Sequence, residues 1–219
     1  WLRFMDPHND ESFADMDKQR YWGDVDLYIG GREHLVLHDL YARFWNHALH
    51  DLGHVAVREP FKRLLHQGMV LGADGKKMSK SNPATCIDPL ESIEQYGTDA
   101  LRLALIVGTG PGQDLRLYPE KLEACCRFAN KVWNASRYVL MNIPEGEAPG
   151  QLDLDSAATL SLADRWILNK LEETVDRVPT ALENYRLDEA ATATYEFIWH
   201  SYCDWTIELS KSTLRAGGD

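Results

Sequence analysis

The sequence predicts an α/β fold followed by an all-α part, and three observations carry that prediction. In the first half, strand-like runs at 25–29 and about 64–71, each closed by glycine, alternate with apolar residues at helical spacing. From Pro119 onward the apolar spacing is helical throughout. Three long amphipathic stretches joined by short connections in that second half are the pattern of a helical bundle.

Taken in order, residues 1 to about 25 are polar and irregular, dominated by Asp6-Pro7-His8-Asn9-Asp10-Glu11. The strand Val25-Asp26-Leu27-Tyr28-Ile29 ends in Gly30-Gly31, and Leu37, Leu40/Tyr41, Phe44, Ala48 and Leu52 then mark a helix that Gly53 stops. Pro60 leads to the second strand. Pro89 opens a helix with Ile93, Tyr96, Ala100, Leu101 and Leu105 on its apolar side. Pro119 suits a first helical position, and Leu122, Cys126, Ala129, Val132/Trp133, Ser136 and Val139/Leu140 form one stripe. The stretch 143–159 reads as a linker. Ser161-Leu162-Ala163-Asp164 reads as a cap, and the stripe Ala163, Trp166/Ile167, Lys170/Leu171, Thr174 and Val178 breaks near Pro179. After Tyr185 the last helix carries Leu187, Ala190/Ala191, Thr194, Phe197/Ile198, Tyr202, Trp205 and Leu209.

With 219 residues, 44% apolar and 26% charged, the chain has the composition of an ordinary globular protein with room for a real core. No apolar run reaches the length of a membrane span. Cys86, Cys125, Cys126 and Cys203 have no disulfide-framework or paired CxxC spacing, which favours a reducing, cytoplasmic setting. A net charge of −11 argues against a general polyanion binder, so any contact with RNA falls to local basic patches. The chain opens at Trp1 without a methionine and is read as a piece of a longer protein.

The richest chemistry lies in Lys77-Met78-Ser79-Lys80-Ser81, which follows a strand and the turn Gly72-Ala73-Asp74-Gly75-Lys76. Lys77 and Lys80, three apart among small polar residues, make a cationic clamp suited to a triphosphate whose leaving pyrophosphate gathers charge. The second candidate is Gly30-Gly31-Arg32-Glu33-His34. There two glycines let a ligand approach the backbone, Glu33 can accept from two ribose hydroxyls, and His34 can reach the phosphate or amino-acid side. A plain strand-to-helix turn explains the same string taken alone. Gly68, Met69 and Val70 could offer backbone groups to adenine with Met69 against the base, or simply be a buried strand.

His34 and His38 stand one helical turn apart but lack a third ligand and the zincin order, so no metal site is expected. Trp133, Trp166, Trp199 and Trp205 fall on or beside the apolar stripes and read as core rather than stacking platforms. Arg127, Lys131, Arg137, Arg165 and Lys170 could meet RNA phosphates or belong to a solvated helix face.

The lysine string resembles the second signature of class I aminoacyl-tRNA synthetases, and nearly the whole chain resembles their leucyl, isoleucyl and valyl group. Leu2-Arg3-Phe4, Asp6-Pro7-His8-Asn9, the 25–34 run, Tyr41-Ala42-Arg43-Phe44 and Gln67-Gly68-Met69-Val70 are similar to leucyl enzymes. Pro111-Gly112-Gln113-Asp114, the 128–135 run, Ala163-Asp164-Arg165-Trp166-Ile167-Leu168 and the 203–209 run are similar to valyl enzymes. The resemblance implies that 1–115 is the C-terminal half of a Rossmann-like catalytic domain and 116–219 a helical-bundle tRNA anticodon-binding domain. It also implies ATP with its accompanying Mg²⁺, an aliphatic amino acid and tRNA as ligands, with Lys80 the critical cation and Met78, Ser79 and Ser81 beside it on the nucleotide. Leucine is favoured because the adenylating half selects the amino acid, and valine is the alternative. The isolated piece is expected to be inactive. A non-catalytic tRNA-binding module, or a paralogue that adenylates a free amino acid, are the rival readings. Where the family continues its lysine motif with a basic or small residue and Gly-Asn, this chain has Asn82-Pro83-Ala84-Thr85.

Overall fold

The computed structural model describes residues 1–78, 86–143, 146 and 160–215. They form two compact units, residues 1–69 with 111–114, and residues 70–110 with those from 115 onward.

In the first unit, α1 (Leu2–Met5) and α2 (Met16–Trp22) precede β1 (Tyr28–Gly31). Asp15 caps α2 by accepting from the backbone N–H groups of Asp17 and Lys18. A π-wound segment, Leu35–Leu40, runs into α3 (Tyr41–Asp51), and β2 (Leu64–Gln67) returns parallel to β1. Parallel strands need a crossover, and this helical stretch supplies it. The ladder begins later than the 25–29 run suggests and takes in both glycines, while Val25 makes only an isolated bridge to Phe61. Gly53, at φ +77°, follows the helix end as its position predicts.

The stripe on this helix does not face a core. Leu37, Leu40, Phe44 and Leu52 are exposed, and the buried positions are Asp39 and Asn46. Asn46 Nδ2 donates to the carbonyls of Val57 (2.9 Å) and Arg58 (2.7 Å). The irregular backbone after α3 needs donors, and that need draws a polar side chain inward.

Asp6 holds the irregular N-terminal segment. It is 3% exposed and accepts from Lys18 Nζ (2.5 Å), Asn9 Nδ2 (2.8 Å) and the Asp15 N–H (3.0 Å). The Lys18 hydrogen bond, then those of Asn9 and Asp15, hold its carboxyl well below the ordinary value of 3.8. A depressed folded-state pKa gives stability that is present above 3.8 and lost as pH falls below it. Asp6→Asn is therefore expected to lower the urea midpoint at neutral pH and to flatten the loss of stability between about pH 4 and pH 2. Urea titrations of both proteins across that range check this.

In the second unit, β3 (Val70–Leu71) pairs parallel with β4 (Leu115–Arg116), with α4 (Pro89–Tyr96) and α5 (Thr98–Ala104) between them in the chain. The expected single strand at 64–71 is thus two strands in different units, interrupted at Gly68-Met69. Pro89 opens α4, with Asp88 accepting from the N–H groups of Leu90 and Glu91. The expected continuous helix breaks at Gly97, whose φ of +90° leaves the helical region. Ile93 and Tyr96 still pack beside Ala100 and Leu101.

Helix α6 (Pro119–Met141) starts at Pro119 and closes the core formed by Ala100, Leu101, Ala104, Leu117, Leu122 and Cys125. Residues before and after position 115 share this core. The buried stripe of α6 is Leu122, Cys125, Phe128 and Ala135, out of phase with the expected stripe, and Trp133 and Leu140 are exposed.

Helix α7 (Leu162–Glu183) begins at Ser161, whose Oγ accepts from the Asp164 N–H (3.2 Å) and donates to Asp164 Oδ2 (2.6 Å). It runs through Pro179 rather than breaking there. The stop comes at Tyr185, which takes φ +58° while the N–H groups of Tyr185 and Arg186 reach the carbonyls of Leu182 (3.0 Å) and Ala181 (2.8 Å). This is a Schellman closure with tyrosine in the place where glycine is usual. Helix α8 (Leu187–Tyr195), a π-wound segment (Glu196–Thr206) and α9 (Ile207–Arg215) complete the bundle. Of the expected linker, all but residues 143 and 146 lie outside the described residues. Among the described residues, no helix is long and apolar enough to cross a membrane.

Candidate functional site

The first cluster lies in the first unit, at the end of β1. Gly30 pairs with His66 and Gly31 with Gln67, so by strand alternation the two glycines face opposite sides of the ladder. A β-carbon on Gly30 would meet open space. One on Gly31 would overlap the Glu33 carboxylate, which folds back over the bare Gly31 backbone. The glycine pair therefore does two jobs, leaving one face open and seating an acid on the other. Glu33 and His34 are exposed, and His34 sits at the entry to the helical crossover. His38 Nε2 is engaged by the Tyr28 hydroxyl (2.5 Å). Nearby, an apolar cavity of about 250 Å³ is lined by Leu2, Val25, Tyr28, His38, Ala42 and Phe61, among others.

Gly68 and Met69 belong to the same unit, and the Pro111–Asp114 segment is strapped across them. A β-carbon on Gly68 would overlap the Gln113 carbonyl and stand 2.6 Å from Asp114 N, so no side chain fits. The Met69 N–H donates to Asp114 Oδ1 at 2.9 Å, and Arg32 Nη2 pairs with Asp114 Oδ2 at 3.4 Å. One carboxylate thus touches the strand end and the residue preceding Glu33. Sequence reasoning assigned Asp114 no role. Its signal was a turn-forming Pro111-Gly112 followed by an acid, beside a glycine in an otherwise apolar strand.

Val70, Lys77 and Met78 belong to the second unit. Leu71 bridges Lys77 antiparallel, and the turn between them is closed by Gly72 N–H to Lys76 O (2.9 Å), Gly75 N–H to Gly72 O (3.0 Å) and Lys76 N–H to Asp74 Oδ1 (3.0 Å). Gly75 takes φ +73°. Lys77 is exposed at the end of this hairpin. The Met78 side chain packs against the core beside Ile87, whose N–H approaches Met78 Sδ at 3.5 Å. Ser79, Lys80 and Ser81 lie outside the described residues.

In the bundle, three of the five candidate cations are paired: Arg127 with Glu123, Lys131 with Asp204 and Lys170 with Glu173, each at 2.7 Å. Lys131 holds the Asp204 carboxyl below its ordinary range and lies 4.0 Å over the Trp199 ring, which joins Phe128 and Tyr195 in an aromatic cluster. Arg137 and Arg165 are exposed with no ion-pair partner among the described residues. Trp199 and Trp166 are half-buried, whereas Trp133 and Trp205 are exposed, against the expectation that all four are core.

Residues 38–118 match the family model for class I tRNA synthetases of the I, L, M and V type, and residues 164–219 match the anticodon-binding domain of tRNA ligase. The chain belongs to the class I aminoacyl-tRNA synthetases. Among synthetases of known sequence, it is 42% identical over 207 residues to the valine–tRNA ligase of Carboxydothermus hydrogenoformans, covering 93% of this chain and 22% of that protein. It is 48% identical over 157 residues to that of Geobacillus kaustophilus, covering 72% and 17%. The chain thus spans about a fifth of the length of these relatives. Among solved structures, the leucyl-tRNA synthetase of Agrobacterium radiobacter K84, in a ternary complex with tRNA and LeuAMS, superposes with a TM-score of 0.75 at 28% identity over 90% of this chain and 25% of that one. The Mycobacterium tuberculosis methionyl-tRNA synthetase, solved with methionyl-adenylate, shares the fold with a TM-score of 0.67 at 21% identity, over 95% of this chain and 38% of that one.

Proposed function

We propose that the full-length protein activates an aliphatic amino acid with ATP and transfers it to tRNA, with valine the first candidate. The observation that carries this reading is the Lys77-Met78-Ser79-Lys80-Ser81 sequence, entered from a β-hairpin and rooted through Met78 in a packed core. Valine is preferred over leucine because the relatives at 42% to 48% identity are valine–tRNA ligases. Leucine is the second reading, supported by the leucyl-like strings within residues 1 to about 85 and by the leucyl-tRNA synthetase fold match.

In this reading residues 1–115 act as the C-terminal half of the catalytic domain and 116–219 as the tRNA-binding bundle. Glu33, seated by Gly31, accepts from the ribose hydroxyls, and Gly30 gives the nucleotide an open backbone face. Gly68, Met69 and Val70 serve adenine, with His34 toward the phosphate or amino-acid side. Lys77 and Lys80, flanked by Ser79 and Ser81, neutralise charge that grows on the phosphates as pyrophosphate leaves, an interaction stronger in the transition state than in the ground state. Magnesium would accompany ATP and would help neutralise charge on the phosphates. Among the described residues no group of three or more His, Cys, Asp or Glu side chains makes a cage for it.

Amino-acid-dependent ATP–pyrophosphate exchange by the full-length protein, run separately with valine, leucine and isoleucine, tests the proposal. Valine is expected to give the highest kcat/KM. Leucine ahead of valine reverses the substrate assignment. No exchange with any of them, while tRNA is still bound, leaves the non-catalytic module.

A further inference from the structure

We propose that Asp114 is a positioning residue of the nucleotide site, one that fixes two separate segments of it before ATP arrives. The proposal rests on the synthetase reading above. It begins with the chain path: residues 111–114 leave the second unit's part of the sequence and pack within the first unit. Gly112, at φ +72°, makes the turn that brings the segment beside the end of β2, where a β-carbon would stand 3.7 Å from the His66 carbonyl. Gln113 then lies so close to Gly68 that only hydrogen fits between them.

Asp114 follows with both carboxylate oxygens in use. Oδ1 accepts from the Met69 N–H at 2.9 Å, and Oδ2 faces Arg32 Nη2 at 3.4 Å. Met69 is not in either ladder, so its N–H has no strand partner and depends on this carboxylate. Arg32 immediately precedes Glu33, whose carboxylate lies over Gly31. One acid therefore ties the edge offered to adenine and the segment offered to ribose. Holding both in advance removes an ordering cost from ATP binding, so the effect belongs in the KM for ATP rather than in the chemical step.

Two measurements on the full-length protein test this. In ATP–pyrophosphate exchange, Asp114→Ala is expected to raise the KM for ATP about tenfold, with kcat and the amino-acid KM within about twofold, the scale of losing one hydrogen bond to a charged group. Asp114→Asn keeps an acceptor for Met69 and loses only the charge facing Arg32, so it is expected to recover most of that loss. In hydrogen exchange, the Met69 amide is expected to open at least about tenfold faster in Asp114→Ala and to be protected again in Asp114→Asn. An unchanged Met69 amide, or equal losses of kcat and both KM values, overturns the proposal. If the wild-type protein catalyses no exchange with any amino acid, the synthetase reading fails and takes the nucleotide role with it. The amide experiment then tells that failure apart from a missing strap.

Discussion

Lys80→Ala in the full-length protein is expected to slow amino-acid-dependent ATP–pyrophosphate exchange by about 10²–10³-fold while leaving tRNA affinity unchanged. The reason lies in where the charge goes. When the amino-acid carboxylate attacks the α-phosphorus, negative charge moves onto the departing pyrophosphate. An ammonium group held there gains most as the bond breaks. The loss should therefore fall on kcat, with the KM for ATP changing by about threefold or less. Lys77 stands at the end of a hairpin closed by three hydrogen bonds and is followed by a residue packed in the core, so its backbone is held on both sides. Lys77→Ala should consequently show a KM component that Lys80→Ala lacks. An exchange rate within about threefold of wild type for Lys80→Ala would remove the catalytic role and leave a tRNA-binding module.

Much of this fold was legible because its signals are local. Pro119 and Ser161 mark helix starts through backbone geometry and a single hydrogen bond, and both start where expected. Gly97 was equally local, yet its positive φ split a helix that apolar spacing alone had joined. Two other misreadings come from interactions distant in sequence. The α3 stripe points outward because Asn46 is drawn in by carbonyls of residues 57 and 58. The α6 stripe is out of phase because its partners are Ala100, Leu101 and Ala104, which set which face is buried. Pro179 did not end α7, because the closure depends on Tyr185 adopting φ +58°, which spacing cannot reveal for a non-glycine residue.

The candidate site divides along the same line. The Gly31–Glu33 relation is two residues long and could be suspected from the string itself, although the opposite facing of Gly30 and Gly31 needed the ladder register. Met78 looked like part of a nucleotide loop by its neighbours and also packs against the core, since helices far along the chain give it an apolar seat. Asp114 was missed because its partners Met69 and Arg32 lie 45 and 82 residues away.

Gly68→Ala is expected to be the most damaging single-methyl change in the first unit, lowering its stability by roughly 1–3 kcal/mol and raising the KM for ATP together with it. Most glycines tolerate alanine when their φ is ordinary and space is open, as at Gly30, where a β-carbon would touch nothing. Gly68 also has no positive φ, so the penalty there comes from crowding alone. The added carbon would overlap the Gln113 backbone carbonyl, and backbone cannot swing aside as the tip of a long side chain can. Either β2 or the 111–114 strap must retreat, and retreat stretches the Met69 N–H to Asp114 bond of 2.9 Å. Gly30→Ala is the matched control, with stability expected within about 1 kcal/mol of wild type, since a strand gains slightly from losing a glycine. Urea unfolding of the two variants separates the cases. Equal midpoints for Gly68→Ala and Gly30→Ala would mean that the strap yields freely, and a strap that yields freely could not hold Met69 in place.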